Sequence, residues 1–271
     1  MKTIWILGSI VGSYAGLLGL MYALQSKLIF IPSQLPIDHI FSFSHPFREH
    51  FIDVHNARLH ALSFEQTKTK IKPKGLILYF HGNAGCLDSW GDVYRYFMPH
   101  GYDSFIVDYR GYGKSTGTIE SETQLFDDAN LVFEYIQKTF GNTYNNNIIL
   151  YGRSIGTGIA SRLAVEHNPK MLILETPYYN LPALVRDIYP FVPQKMVRFK
   201  LSNNEYIQNT AYPVHIFHGT KDEIIPYEHG KKLSSLDPNI TLHTINDANH
   251  NNIPAHQQYH QILEDILKED P

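Results

Sequence analysis

Short runs rich in apolar residues recur through the chain, each leading into a polar or glycine-containing loop: Gly75–Phe80, Asp103–Tyr109, Ile148–Tyr151, Met171–Glu175, Val214–His218 and Thr241–Ile245. They are too short for buried helices and lack the alternation of a half-exposed strand, so they read as strands covered on both faces. Helical stretches separate them, one running through Pro99, one over 122–140 and one from about Pro254 to Lys268 with Ile262, Leu263, Ile266 and Leu267 along one side. His50–His55 and Arg58–Phe64 read as a hairpin joined at Asn56-Ala57, and Asn145-Asn146-Asn147 as a turn. The expected architecture is α/β: a mostly parallel central sheet of about eight strands with helices on both faces. In such sheets ligands bind beyond the carboxyl ends of the strands. The residues just after each run are therefore the ones to inspect.

Upstream of the sheet the chain changes character. From Thr3 to Leu24 it carries no charge, a run of 22 positions. About 20 apolar residues in a helix cross a bilayer, and a helix satisfies its own backbone there. A cleaved signal has a shorter apolar core and a small-x-small site, whereas this run ends in Ala23-Leu24-Gln25-Ser26. Residues 1–25 are thus expected to be an uncleaved single-pass anchor, and 26–48, with Pro32, Pro36 and Pro46, an extended tether. Lys2 and the α-amino group against Lys27 tilt the topology toward the bulk of the chain on the non-cytoplasmic side. Gly8, Gly12 and Gly16 share one face and would permit a helix-mediated dimer.

Composition excludes several classes. A formal net charge of -3 lacks the basic surplus of a nucleic-acid partner, and one cysteine, Cys86, rules out a disulfide framework. Fifteen histidines raise the question of metal binding. His256 and His260 sit four apart but indicate no third ligand, while His50, His55 and His60 straddle the hairpin and read as solvated or cross-strand residues.

The sharpest chemistry is Gly152-Arg153-Ser154-Ile155-Gly156, directly after one apolar run and before a helical stretch. A G-x-S-x-G turn between strand and helix exposes its serine at the top of the sheet, and glycines flank it because side chains there would strike neighbouring backbone. The helix N-terminus behind Ser154 favours developing negative charge. A serine hydroxyl needs a base, and the base an orienting acid. Asp222, in HGTKDEIIP, and His250, in DANHNNI, follow later runs at the same sheet edge. Glu175 is the alternative acid, while Asp247 is too near His250. Two backbone N–H groups should hold an oxyanion: that of Ile155, and that of Asn83 (Ala84 second) in His81-Gly82-Asn83-Ala84-Gly85, with His81 anchoring the loop. Gly113-Lys114-Ser115 mimics the end of a phosphate-binding loop, but Asp108 stands where its first glycine belongs. Asp108 and Arg110 are read as tying strand ends beneath the site.

HGNAG, DYRGYGKSTG, LYGRSIGTG, HGTKDEIIP and NHNN, in this order, resemble the α/β-hydrolase superfamily of serine hydrolases, most of all its small single-pass membrane-anchored branch related to protein depalmitoylases. The resemblance covers residues 50–268 and implies an α/β-hydrolase catalytic domain over 49–271, with a short lid at about 176–213. Cys86 departs from that branch, which often has Asn after HGNAG. The lid segment holds Tyr178, Tyr179, Tyr189, Phe191 and Phe199, which could line an acyl groove or simply close the core. The implied activity is hydrolysis of carboxylic esters or thioesters of acyl or lipid-like substrates by Ser154, His250 and Asp222, with no metal or cofactor. The alternatives are a peptidase-like serine hydrolase and a non-catalytic, membrane-tethered interaction protein on a hydrolase scaffold.

Overall fold

In a computed structural model of the chain, which describes residues 2–66, 72–144 and 147–268, eight strands form one sheet. They are β1 (Arg48–Val54), β2 (Ala57–Phe64), β3 (Gly75–Phe80), β4 (Tyr102–Val107), β5 (Ile148–Arg153), β6 (Met171–Glu175), β7 (Val214–Gly219) and β8 (Ile240–Ile245). Their order across the sheet is β1-β2-β4-β3-β5-β6-β7-β8. β1 pairs antiparallel with β2, and β2 antiparallel with β4; the other neighbours are parallel. The expected mostly parallel sheet is therefore present. Asn145 and Asn146 of the proposed turn lie outside the described residues. The hairpin loop is His55-Asn56, one residue earlier than its expected place: Val54 pairs with Ala57, and Asn56 takes the left-handed φ of 55° that asparagine tolerates.

Every residue of β3, β4 and β6 is buried, as continuous apolar runs require when both sheet faces are covered. The pleat sends alternate residues to opposite layers. Leu76, Leu78 and Phe80 of β3 pack with helices α2 (Glu122–Phe140) and α3 (Gly156–His167), through Val132, Phe133, Ile159 and Leu163. Ile77 and Tyr79 pack on the other side with Phe97 and with Tyr259, Leu263 and Ile266 of the final helix, Gln257–Lys268. That helix starts three residues after the expected Pro254, because Ile253–Ala255 forms a 3-10 turn first.

The N-terminal helix α1 covers Lys2–Ala23, of which Trp5–Ala23 is long and apolar enough to cross a membrane. Trp5, Leu7, Ile10 and Leu17 are exposed on it, whereas Leu18 is buried against the domain. Gly8, Gly12 and Gly16 face open space. The expected extended tether begins instead as a short helix, Gln25–Ile29, and the residues after it run along the domain and are bonded into it. Ile31–Pro32 pairs in parallel with Ala84–Gly85, Leu35 N–H donates to the Gly113 carbonyl at 2.9 Å, and Phe41 is buried in a stack on His60. Between β6 and β7 lie helix α4 (Leu181–Ile188), a 3-10 turn at Gln194–Met196 and a short helix Asn203–Tyr206.

Candidate active site

Ser154 sits between the end of β5 and the start of α3 with a φ of 52°, a left-handed conformation that costs a non-glycine residue about 1–3 kcal/mol. The turn is held from outside. Ser154 N–H donates to the Glu175 carbonyl at 2.9 Å, and the Ser154 carbonyl accepts from Thr157 N–H at 3.0 Å and Thr157 Oγ1 at 2.7 Å. A β-carbon on Gly152 would lie 2.5 Å from the Gly156 carbonyl oxygen, and one on Gly156 would lie 2.2 Å from that of Phe80. Both glycines are therefore sterically required, as the motif suggests.

Two loops bring an acid and an imidazole to this serine. A β-carbon on Gly219 would lie 2.3 Å from the Ala248 carbonyl oxygen, so glycine at the end of β7 lets the loops bearing Asp222 and His250 meet. His250 Nδ1 lies 2.9 Å from Asp222 Oδ2 and 3.1 Å from Oδ1, and its Nε2 lies 3.2 Å from Ser154 Oγ. Asp222 Oδ1 also accepts the N–H groups of Ile224 at 3.0 Å and Ile225 at 2.8 Å. Burial alone would raise the Asp222 carboxyl pKa. His218, His250 and the Ile225 N–H together outweigh it and hold the group far below the usual carboxylate range. Of these, His218 is the weakest partner by geometry: its Nε2 donates to the Ile225 carbonyl at 2.9 Å and stands 3.5 Å from Asp222 Oδ2. An ionised Asp222 can only accept, so the His250 proton sits on Nδ1. Nε2 is then left to accept from the Ser154 hydroxyl.

The loop after β3 is tied down from several sides. His81 Nδ1 donates to the Gly82 carbonyl at 2.7 Å, and the Tyr109 hydroxyl to the His81 carbonyl at 2.7 Å, so His81 does anchor the loop. The Asn83 carbonyl accepts from Tyr112 OH at 2.6 Å and from Ile31 N–H at 2.9 Å. A trans peptide points its N–H away from its carbonyl, so these bonds set the direction of the N–H groups of Asn83 and Ala84. A β-carbon on Gly82 would lie 3.9 Å from that of Ser154, which places the loop beside the serine.

The remaining candidates resolve into supporting roles. Glu175 pairs with Arg153 at 3.2 Å and accepts from Tyr151 OH at 2.6 Å; the carboxylate that touches His250 is Asp222. Asp247 is an exposed partner of Lys221 at 2.7 Å. Asp108 and Arg110 stabilise different joints. Asp108 accepts the Leu87 N–H and lies 3.2 Å from His81 Nε2, at a distance for pairing but without hydrogen-bond alignment. Arg110 makes a buried two-point contact with Asp128 of α2 at 2.6 and 2.8 Å. Cys86 is buried at the start of the helix Leu87–Trp90, and burial pushes its thiol pKa up. His50 and His60 are cross-strand residues as expected but are buried, not solvated, held by Ser63 with Tyr135 and by Glu49. His260 Nε2 binds the Pro254 carbonyl. Among the described residues, no group of three or more His, Cys, Asp or Glu side chains could hold a metal.

Sequence reasoning overlooked Arg153. It donates to the His250 carbonyl at 3.2 Å, pairs with Glu175 and lies over the Trp90 ring at 4.8 Å, so it braces the histidine loop. Asn203 escaped too: buried, it joins Ser161 and Thr157 of α3 to the Tyr178 carbonyl. The charged residue inside G-x-S-x-G was the available signal for Arg153; nothing local marks Asn203.

A cavity of about 480 Å³ opens over Ser154 and His250. Gly82, Asn83 and Ala84 form one wall, and Leu181, Leu184 and Ile224 contribute to the apolar remainder. Of the aromatics in 176–213, Phe199 is buried in the core, while buried Tyr178 and half-exposed Tyr189 line the cavity.

Comparison with known proteins agrees with the fold. The family described as serine aminopeptidase S33 matches residues 71–208, a segment that contains Ser154. An uncharacterised protein of Acanthamoeba polyphaga mimivirus is 34% identical over 217 residues, covering 71% of this chain and 72% of that protein. Lysophosphatidylserine lipase ABHD12 of Macaca fascicularis is 33% identical over 182 residues, 59% of this chain; the match spans only 45% of the lipase. Among solved structures, the Pyrococcus furiosus esterase Pf2001 superposes with a TM-score of 0.68 at 15% identity, over 89% of this chain and 97% of that one, a likeness of fold. The chain belongs to the serine aminopeptidase S33 family and is a serine hydrolase of the α/β-hydrolase fold.

Proposed function

We propose that the chain is a membrane-anchored hydrolase of carboxylic esters or thioesters with lipid-like acyl groups. The observation that carries the reading is the hydrogen-bonded line Asp222–His250–Ser154 at the floor of an apolar cavity. In the proposed cycle His250 Nε2 takes the Ser154 proton while Oγ attacks the acyl carbonyl. The N–H groups of Ile155 and Asn83 receive the oxyanion, and Asp222 stabilises the imidazolium. His250 then protonates the leaving alcohol or thiol, and a water deprotonated by His250 releases the acid from Ser154. The lipase and esterase names of the relatives favour an ester substrate.

The family description favours a second reading, an aminopeptidase. Such an enzyme must bind an α-ammonium group, for which a carboxylate in the pocket is the natural partner. The lining residues of the cavity over Ser154 include no Asp or Glu, and its one charged member, Arg153, is a cation. This argues for acyl esters. The length and composition of α1 support anchoring of the catalytic domain at a membrane.

The test is a fluorophosphonate probe on the full chain, beside a panel of acyl esters, acyl-cysteine thioesters and aminoacyl peptides. Labelling abolished in Ser154→Ala, with ester turnover exceeding peptide turnover, is the expected result. Equal labelling of Ser154→Ala would refute the enzyme reading, and preferential peptide cleavage would refute the substrate class.

A further inference from the structure

A second cavity, of about 300 Å³, adjoins the one over Ser154. Leu18, Met21 and Tyr22 of α1 form one side, and Val192, Met196 and Val197 of the lid the other. Leu28, Ile29, Val185 and Tyr189 line both cavities, so an apolar surface continues from Ser154 to the last turns of α1. At the low end of the volume range of small-molecule sites, the second cavity suits one alkyl chain rather than two.

Its position along α1 indicates where that chain comes from. Tyr14 OH donates to the Phe191 carbonyl at 2.6 Å, and Tyr14 lies nine residues before Ala23, the end of the helix. At 1.5 Å per residue, Phe191 is held about 14 Å back along the helix, roughly half the thickness of a hydrocarbon core. The lid crest beside it is apolar and unusually open: Ile188 is 45% exposed, Tyr189 47% and Phe191 49%. Polar contacts lie toward the end of the helix, where the Arg198 guanidinium stands over Tyr22 at 5.6 Å and Gln25 bonds the Met196 carbonyl and Arg198 N–H. An α1 that spans a bilayer therefore carries the crest down to the depth of one leaflet's acyl chains, with Tyr22, Gln25 and Arg198 near the headgroups.

We infer that the second cavity is an entry groove for one acyl chain drawn sideways out of the leaflet. The chain lies between α1 and the lid, passes Leu28 and Tyr189, and presents its ester or thioester carbonyl to Ser154. This rests on the ester-hydrolase reading of Ser154 and on α1 as a membrane span.

The experiment uses the full chain in phosphatidylcholine vesicles and an oleoyl-length alkyl fluorophosphonate bearing a diazirine at the far end of the chain. After reaction at Ser154, illumination is expected to cross-link the chain end to residues 18–22 or 192–197. In parallel, Met196→Trp should lower kcat/KM for a monooleoyl glycerol ester at least tenfold more than that for p-nitrophenyl butyrate, while Met196→Leu keeps the wild-type ratio. Should Met196→Trp fail to fold, Leu18→Trp blocks the groove from the opposite wall and is read in the same way. Cross-links confined to other parts of the chain, with an unchanged long-to-short ratio in the tryptophan variants, overturn the groove while butyrate turnover and Ser154 labelling persist. Loss of labelling and of all ester turnover in the wild-type protein would instead overturn the hydrolase reading beneath it.

Discussion

Removing the Tyr112 hydroxyl should slow catalysis without touching the substrate. The Asn83 carbonyl is held by two donors, Tyr112 OH at 2.6 Å and Ile31 N–H at 2.9 Å, and the peptide they fix carries the N–H of Ala84, the alternative oxyanion donor, directly after the peptide that carries the proposed N–H of Asn83. Tyr112→Phe deletes one of the two and keeps the ring against Tyr109 and His81, whose centroids lie 5.5 and 5.3 Å away. A buried hydrogen bond has a net worth of about 1 kcal/mol. Complete loss of an oxyanion donor costs about 10²–10³ in kcat, or roughly 3–4 kcal/mol. One lost tether should therefore lower kcat by about 3–10-fold, with KM shifting less than about twofold, because the oxyanion exists only in the transition state. Ile31→Pro removes the other donor, and Phe30, at φ -108° and ψ 120°, already has the extended backbone that precedes proline. The double variant should lower kcat further but stay short of a lost donor, because the His81 bond to the Gly82 carbonyl still directs the Asn83 N–H. Initial rates on p-nitrophenyl butyrate give kcat and KM separately, and thermal unfolding of each variant reports its stability. A Tyr112→Phe protein whose melting temperature falls while kcat stays within about 1.5-fold of wild type would refute the positioning role. So would a rise in KM at constant kcat.

Asp222→Asn should keep the loop but lose the charge that orients and stabilises His250, lowering kcat by about 10³–10⁴-fold; steady-state rates beside circular dichroism check this, and a loss below tenfold would exclude Asp222 as the acid. Acid should destabilise the fold through His50, whose pKa burial, with the nearby charges of Arg48 and His60, pushes down to about 4. Between pH 6.5 and about 4 the unfolded chain then binds a proton that the folded chain refuses, so stability falls with pH by about 1.4 kcal/mol per unit, roughly 3 kcal/mol at pH 4.5. Urea unfolding in detergent micelles at pH 7 and 4.5 measures this, and His50→Gln should lessen the slope by that amount, while His215, pushed down to about 4 by burial, keeps a share of its own. Cys86, buried and with a raised pKa, should resist iodoacetamide at pH 8 under conditions that alkylate free cysteine, as read by intact mass.

What the sequence disclosed and what it withheld differ by the range of the interactions involved. Strands β3 to β7 were legible because burial on both faces leaves apolar runs that need no partner to recognise, and Ser154 because its strained turn demands glycines two residues to either side. Asp222 and His250 could be placed at one edge of the sheet by strand order, but their contact depends on Gly219 admitting the Ala248 backbone, a steric detail with no local mark. The segment after the apolar helix was read only as a tether. Its prolines and aromatics announce an extended chain, and nothing in them says that Ile31 and Ser33 donate to the carbonyls of Asn83 and Gly85. These bonds join partners more than fifty residues apart, and they change the meaning of the N-terminal region. One continuous stretch, from Leu18 to Ser33, lines the apolar groove, walls the cavity over Ser154 and fixes the loop that faces it. In the proposed reading, attachment to the membrane and construction of the active site are the work of the same residues, so excising the helix together with residues 25–33 to obtain a soluble enzyme would remove part of the cavity over Ser154.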